Sequence, residues 1–399
     1  MAVGEVSEEF NIVGGVQLAS THCGIKATGD DLVVIAFREG TTTAGVFTQN
    51  HFAAAPVQLC RQHLQDGSPR YFLINSGNAN CAVGEVGMLD AMNCCASVGS
   101  LGGVPPHLVL PFSTGVIGER LPANKVIESI PRLLQRLSED RWLDAAQGIM
   151  TTDTRPKIAT KRSPDGAYTI TGIAKGAGMI QPNMATMLAY VATDVVASTA
   201  TLEAMLNKSI RRSFNRITVD SDTSTNDACM LSATGASGVD IDADPARLEE
   251  FYGLLLEVMQ SLAHGLVRDG EGATKFVAVH VVNGPDSDFC LEIAYAVANS
   301  PLMKTALYAS DANWGRIVMA IGKTRVPVDV SRLDVYLGDV QLMMQGQKHP
   351  DYTEEDGSRV MAAEEIDITI DLGSGKVEET VWTSDFSHEY VTINAEYRT

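Results

Sequence analysis

The stretch Lys175-Gly-Ala-Gly-Met-Ile-Gln-Pro-Asn-Met184-Ala185-Thr186-Met-Leu-Ala-Tyr-Val191 decides how this chain is read. A turn rich in Gly and Pro runs into an apolar strand, and a hydroxyl residue, Thr186, stands at the junction. A Thr placed there is positioned to attack its own preceding carbonyl, break the Ala185–Thr186 bond and emerge as a new N-terminal residue. It would then carry nucleophile and base together, its hydroxyl and its own α-amine, an arrangement used in covalent catalysis. An α-amine titrates near ~7.7–8.0, so a good fraction is free base near neutral pH. Gly176 and Gly178 permit unusual dihedrals, while Pro182 fixes its own φ and restricts its neighbour. A plain loop before a buried strand accounts for the same residues more simply, because Gly and Pro punctuate every fold.

The phrases around it decide between these readings. Lys-Gly-x-Gly-Met-x-x-Pro-x-Met-Ala-Thr-Met-Leu resembles the self-cleavage signature of the ornithine acetyltransferase family, with Thr186 at the nucleophile position. Further phrases match in the family's order along nearly the whole chain. They are Gly45-Val-Phe-Thr-Gln-Asn50, Asn75-Ser-Gly-Asn-Ala-Asn80, Ser113-Thr-Gly-Val-Ile-Gly118, Thr151-Thr-Asp-Thr154 and Asp222-Thr-Ser-Thr-Asn-Asp227. Glu271-Gly-Ala-Thr-Lys275, Asn313-Trp-Gly-Arg316 and the ending Asn394-Ala-Glu-Tyr-Arg-Thr399 complete the set. The chain departs from the pattern at Ser221, where the family has Gly before Asp222; this bears on a turn.

The resemblance implies a self-processed α/β protein with β-sheets packed face to face between helical layers, and the nucleophile opening a central strand. It implies two chains after cleavage, residues 1–185 and 186–399, and a heterotetramer of two cut protomers. The implied reaction moves the acetyl group of N2-acetylornithine to glutamate through an acetyl-Thr186 intermediate; whether acetyl-CoA also donates is left open. Thr114 and Gly115 are implied as the oxyanion hole. Thr152, Lys175, Thr186, Glu271, Asn394 and Thr399 are implied as substrate positions. Lys175 suits a substrate carboxylate, and Glu271, between Gly270 and Gly272, suits a substrate ammonium. Rival readings are an amidase or aminopeptidase in which water takes the acyl group, a related acyltransferase of secondary metabolism, and an inert binding protein on the same fold.

Composition is consistent with this. Of 399 residues, 45% are apolar and 20% charged, as in a globular protein with a large core. A net charge of −19 disfavours nucleic acid and anionic membranes. The seven Cys are scattered, with no Cys/His spacing suggesting zinc, so free thiols in a reducing cytoplasm are expected. The acidic start of the chain resembles neither a secretory signal nor a transit peptide, and no apolar run reaches the ~20 residues of a membrane span. No metal or other cofactor is expected. Asp220, Asp222 and Asp227 fit local turn hydrogen bonds better than a metal cluster. His264 reads as a packed or solvent-facing helix residue. No Gly-x-Ser-x-Gly elbow and no nucleotide-binding glycine loop occurs.

Periodicity predicts strands at 32–37, 45–48, 57–59, 71–75, 108–112, 168–174, 187–192, 228–233 and 275–282, and again at 335–337, 340–343, 365–372 and 377–383. Helices are predicted at 85–98, 123–137, 141–150, 201–213, 245–267, 302–308 and 314–322. In the first of these, Val86, Leu89, Met92 and Ala96 form the expected apolar side. In the long helix at 245–267 it is Leu248, Phe251, Leu255, Met259, Leu262 and Leu266.

Overall fold

The computed structural model describes residues 3–4, 7–181 and 187–396. Ala185, Thr186 and Thr399 therefore lie outside the described residues. The first part of the chain forms β1 (Val16–Thr21), β2 (Leu32–Phe37), β3 (Thr42–Phe47), α1 (Ala55–Asp66), β4 (Tyr71–Asn78) and α2 (Glu85–Gly102). Then come β5 (Val109–Val116), α3 (Ala123–Leu134), α4 (Trp142–Gly148), β6 (Lys157–Arg162) and β7 (Thr169–Lys175). After the turn follow β8 (Leu188–Thr193), α5 (Thr199–Ile210), β9 (Ile217–Thr218), β10 (Ala228–Ala233), α6 (Pro245–Arg268) and β11 (Phe276–Gly284). The chain closes with α7 (Ser287–Ala298), α8 (Pro301–Tyr308), α9 (Trp314–Gly322), β12 (Asp334–Leu337), β13 (Val340–Met344) and β14 (Gln347–Lys348). Last are α10 (Glu354–Met361), β15 (Glu365–Asp371), β16 (Val377–Ser384) and α11 (His388–Ala395).

Among the described residues the strands form three sheets, ordered β1-β2-β4-β5, β3-β10-β8-β7-β6 and β14-β13-β12-β15-β11-β16-β9. Strands buried on both faces settle how they stack. Along β2, Val33, Ile35 and Phe37 point into one core and Leu32 and Val34 into another. Along β8, Leu188, Tyr190 and Ala192 enter the same first core, while Ala189 and Val191 face away. The shared core is therefore the interface of the first two sheets. Its centre is aromatic: Phe72 lies edge-on to Phe37 and Phe112, and Phe112 edge-on to Tyr190 with centroids 5.1 Å apart. Each such buried side chain contributes roughly 1.5–3 kcal/mol of transfer free energy.

Helices close the outer faces. Cys94, Cys95 and Val98 of α2 and Val126, Ile130 and Leu133 of α3 cover the first sheet. Leu202 and Leu206 of α5 and Phe251, Leu255, Met259 and Leu262 of α6 cover the second. The third sheet carries its own core under α7, α8 and α9. Asp244 caps α6 by accepting from the amides of Ala246 and Arg247, and Pro245 takes the first helical position. The expected sandwich of sheets between helical layers is thus what the chain forms, and β8 is the middle strand of the second sheet. No described helix is long and apolar enough to cross a membrane.

Two expectations need correction. Residues 57–59 are not a strand but the start of α1, where Pro56 opens the helix and Val57, Cys60 and Leu64 share its inner side. On α2 the expected apolar side is the outer one: Val86, Leu89 and Met92 are exposed, and Ala91, Cys94, Cys95 and Val98 are buried. Small residues win that contest because they let the helix axis come close to the sheet. Strands β1, β6, β9 and β14 and helices α7, α10 and α11 were not expected.

Candidate active site

Three groups of residues meet at one end of the sandwich. The first sheet supplies the end of β5. There β4 and β5 run parallel, Ser113, Thr114 and Gly115 pair with Asn75, Ser76 and Gly77, and the register shifts beside them between Gly77 and Asn78. Ser113 Oγ donates to Asn75 Oδ1 at 2.5 Å. Gly115 has φ +132°, and a Cβ on it would overlap the Gly77 backbone. Only glycine fits this conformation and this close approach.

The second sheet supplies the end of β7 and the starts of β8 and β10. Lys175, last in β7, pairs antiparallel with Leu188, first in β8, so the two strands that flank the expected cleavage segment meet at this point. Strand β10 runs parallel to β8, and Ala228 N–H donates to the Met187 carbonyl at 3.0 Å. Lys175 reaches across to the first sheet: its Nζ donates to Thr114 Oγ1 at 2.8 Å and to Thr151 Oγ1 at 3.2 Å. Burial lowers the Lys175 pKa, and the carboxyls of Asp153 and Asp227 oppose that shift.

A buried ion cluster holds these loops from behind. Lys157 Nζ binds both Asp153 and Asp269, and all three side chains are essentially inaccessible. Asp153 also accepts the amides of Gly176 at 2.7 Å and Thr151 at 3.0 Å. Asp269 accepts the amide and hydroxyl of Thr154. Burial alone would raise the Asp153 pKa, but the charges of Lys157 and Lys175 outweigh it and hold the carboxyl well below the usual range. Lys157→Met takes the bonded cation away from two buried carboxylates, which typically costs ~3–5 kcal/mol. We expect its urea midpoint to fall accordingly at unchanged slope. A loss below about 1 kcal/mol would show that the cluster does not hold the loops.

The third group comes from beyond α6. Glu271 N–H donates to the Ala177 carbonyl at 2.8 Å, and its Oε2 accepts from Asn394 Nδ2 at 2.7 Å. The carboxyl lies directly against Gly178, where any Cβ would collide with it. Asp220 braces the turn by accepting the amides of Met179 and Ile180 at 2.6 and 2.8 Å. Ser221 takes φ +67° there, so the position where Gly was expected does adopt a left-handed conformation. Thr114, Gly115, Thr151, Thr152, Lys175, Glu271 and Asn394 together line a cavity of about 290 Å³, and Met187, the residue after Thr186, lines it too.

The profile of the ArgJ family matches residues 17–399, all but the first few residues. The chain belongs to the ArgJ family. It is similar to the arginine biosynthesis bifunctional protein ArgJ of Pseudomonas syringae pv. tomato, 52% identical over 97% of each chain. The protein of that name from Psychrobacter arcticus is 48% identical over 100% of each. Among solved structures, ArgJ of Bacillus halodurans is 33% identical, covering 51% of this chain and 96% of that one with a TM-score of 0.49. Mycobacterium tuberculosis ornithine acetyltransferase complexed with ornithine is 34% identical, covering 43% and 93% with a TM-score of 0.41.

The resemblance read from the ArgJ-family phrases is therefore borne out. The structure brings Thr114, Gly115, Thr152, Lys175, Glu271 and Asn394 to one cavity; Ala185, Thr186 and Thr399 fall outside the described residues. Thr151, Asp153, Asn226 and Asp227 were not singled out as site residues, although each lies in a phrase that matched. Asn226 Nδ2 ties the carbonyls of Ala79 and Ser113 at 2.6 and 2.9 Å, and so fixes the Thr114 strand end. Of the three aspartates weighed for metal, Asp220 serves the turn and Asp227 the cavity, and no metal-binding group is found among the described residues. His264 packs against Trp382 and Phe276, and burial pushes its pKa down to about 4.

Proposed function

We propose that this ArgJ-family chain cuts itself between Ala185 and Thr186 and then transfers acetyl from N2-acetyl-L-ornithine to L-glutamate. The observation that carries the reading is family membership across the cleavage segment, joined to a single cavity holding a cation, an anion and an oxyanion-type strand end. The relatives named as bifunctional proteins of arginine biosynthesis support the pathway.

In this reading Thr186 Oγ attacks the acetyl carbonyl and its α-amine takes the hydroxyl proton. Thr114 Oγ1 and the amide at Gly115 stabilise the negative oxygen, a contribution of ~2.7–4 kcal/mol per donor in comparable sites. The amine returns the proton to the departing nitrogen of ornithine, and acetyl-Thr186 remains. Glutamate reverses the sequence and leaves acetylated, which gives ping-pong kinetics. Lys175 binds the substrate α-carboxylate and Glu271 the ornithine side-chain ammonium, with Thr152, Asn394 and Thr399 completing the pocket. Residues 1–185 and 186–399 stay together as the two chains of one protomer, and two protomers form a heterotetramer. The seven free thiols, mostly buried, suit the cytoplasm.

The test is a parallel assay of acetyl transfer to glutamate and of free acetate release, with intact-mass measurement of the protein. Transfer with two fragments supports the reading, whereas acetate release alone makes the protein an amidase. For Lys175→Ala we expect KM for acetylornithine to rise tenfold or more, since a hydrogen bond to a charged group contributes about 1.5–3 kcal/mol. An unchanged KM would remove Lys175 from the carboxylate site.

A further inference from the structure

Lys175 gives its hydrogen bonds to hydroxyls, although carboxyls stand near it. Its Nζ donates to Thr114 Oγ1 at 2.8 Å and to Thr151 Oγ1 at 3.2 Å, while Asp153, Asp227 and Glu271 act on it through their charge. Both sides of this contact are held. Asp153 accepts the amides of Thr151 and of Gly176, the residue after the lysine. Across the gap Asn226 Nδ2 donates to the carbonyl of Ser113, just before the buried Thr114. The lysine therefore spans two sheets to reach one hydroxyl, and neither end is free to drift.

The direction of that bond decides what the hydroxyl can do. An ammonium has only donors, and a hydroxyl has one proton and two acceptor sites. Thr114 Oγ1 is thus the acceptor, and its own proton points away from Lys175. Among the described residues nothing accepts that proton, and Thr114 lines the cavity. We propose that Lys175 positions the Thr114 hydroxyl, fixing its rotor and polarising it so that its proton faces the oxygen that becomes negative. The proposal rests on the acetyl-transfer reading given above, in which Thr114 is an oxyanion donor. It adds a positioning role to a lysine assigned there to the substrate carboxylate alone.

Two physical effects work together here. A donor already aimed at the developing charge needs no reorganisation when the reaction occurs. Hydrogen bonds in a chain also strengthen one another, by about 10–30% per bond. Thr114 keeps its proton in both halves of the exchange: it lends a hydrogen bond, and no covalent bond to it forms or breaks. Of the three ammonium protons, two go to Thr114 and Thr151, and the third is left for the substrate carboxylate. A bound carboxylate then holds the lysine, and through it the oxyanion donor.

The experiment is a double-mutant cycle on kcat for acetyl exchange, counted per cut chain by intact mass. It compares wild type, Thr114→Val, Lys175→Met and the two together. Valine keeps the shape of threonine and lacks the hydroxyl. Thr114→Val should lose about a hundredfold to a thousandfold in kcat. Lys175→Met should lose about tenfold to a hundredfold, the scale of a hydrogen bond to a charged group. Together they should stay within about twofold of Thr114→Val alone. KM for acetylornithine should rise in both backgrounds, because the carboxylate loses its partner in either. A merely structural lysine would lower kcat by the same factor with or without the Thr114 hydroxyl. That outcome, or a Lys175→Met protein with wild-type kcat, overturns the proposal.

If the Lys175→Met protein does not fold, Thr151→Val carries the test. By releasing the ammonium from its second anchor it should cost about fivefold in kcat, and leave Thr114→Val unchanged. No loss, or equal losses in the two backgrounds, overturns the proposal. If Thr114→Val stays uncut, the rate of cutting replaces kcat: Lys175→Met must then slow it too, and cutting at the wild-type rate overturns the proposal. If wild type neither cuts nor transfers acetyl, the proposed function fails as a whole. If Thr114→Val transfers as fast as wild type, Thr114 is no oxyanion donor and Lys175 has nothing to position.

Discussion

Thr186→Ala protein is expected to run as one uncut chain and to be inactive in acetyl exchange. Both effects follow from one missing oxygen. Without Oγ nothing attacks the Ala185 carbonyl, so no new N-terminus forms. Without Oγ there is also nothing to carry the acetyl group. In enzymes that work through an activated nucleophile, removing it costs on the order of 10⁴–10⁶ in kcat. The substitution is small, and the surrounding cavity is formed by Thr114, Lys175 and Glu271, so the fold should survive. Melting behaviour close to wild type would confirm that. An uncut Thr186→Ala protein that still exchanged acetyl groups at the wild-type rate would end the N-terminal-amine mechanism.

The second large effect is expected from Gly115→Ala. Two independent obstacles meet there: φ of +132°, and a Cβ driven into the backbone of Gly77. Backbone cannot rotate aside as a flexible side chain can, so the ends of β4 and β5 must separate. In the proposed mechanism that displaces the amide and the Thr114 hydroxyl from the developing oxyanion. The loss of one such donor is worth ~2.7–4 kcal/mol, a fall in kcat of a hundredfold to nearly a thousandfold. Stability should drop as well, by about 1–3 kcal/mol for backbone strain of this kind. Single-turnover measurement of acetyl-Thr186 formation checks this directly. A Gly115→Ala protein that acylates at the wild-type rate would place the oxyanion hole elsewhere.

Much of this architecture could be read from residue order. Strands such as Leu32–Phe37, and β10 over Ala228–Leu231, are continuous apolar runs because both their faces are covered, and such runs are hard to miss. The long α6 announced itself through six apolar residues on one side, all of which pack inward. Val57–Leu59 misled because an apolar–polar–apolar triplet looks alike in a strand and in the first turn of a helix. The turn of α2 was misjudged for another reason. Its largest apolar residues are outermost, and sequence alone does not tell that Cys94, Cys95 and Ala91 are small enough to sit against the sheet.

The site was legible as types of residue and not as an arrangement. Lys175 and Glu271 were recognisable as charges in glycine-rich surroundings. What could not be read was that Lys175 bridges two sheets, or that a lysine at position 157 anchors both Asp153 and Asp269. Those facts depend on which strands pair and in what register, and pairing between distant segments leaves no local trace. The expected cleavage segment was read from consecutive residues alone, and residues 182–186 of it lie outside the described residues.

The strand order of the second sheet has a further consequence for a protein cut after Ala185. Read across, β3 and then β7 with β6 come from the leading piece, and β10 with β8 from the trailing one. The trailing piece is thus clasped between two arms of the leading piece, like a tongue in a buckle. Neither half owns this second sheet whole, and pulling them apart means tearing two ladders at once. A chain that has been cut, unfolded and diluted must find its other half before it can rebuild that sheet, so its recovery is governed by encounter between molecules, whereas the uncut precursor recovers alone.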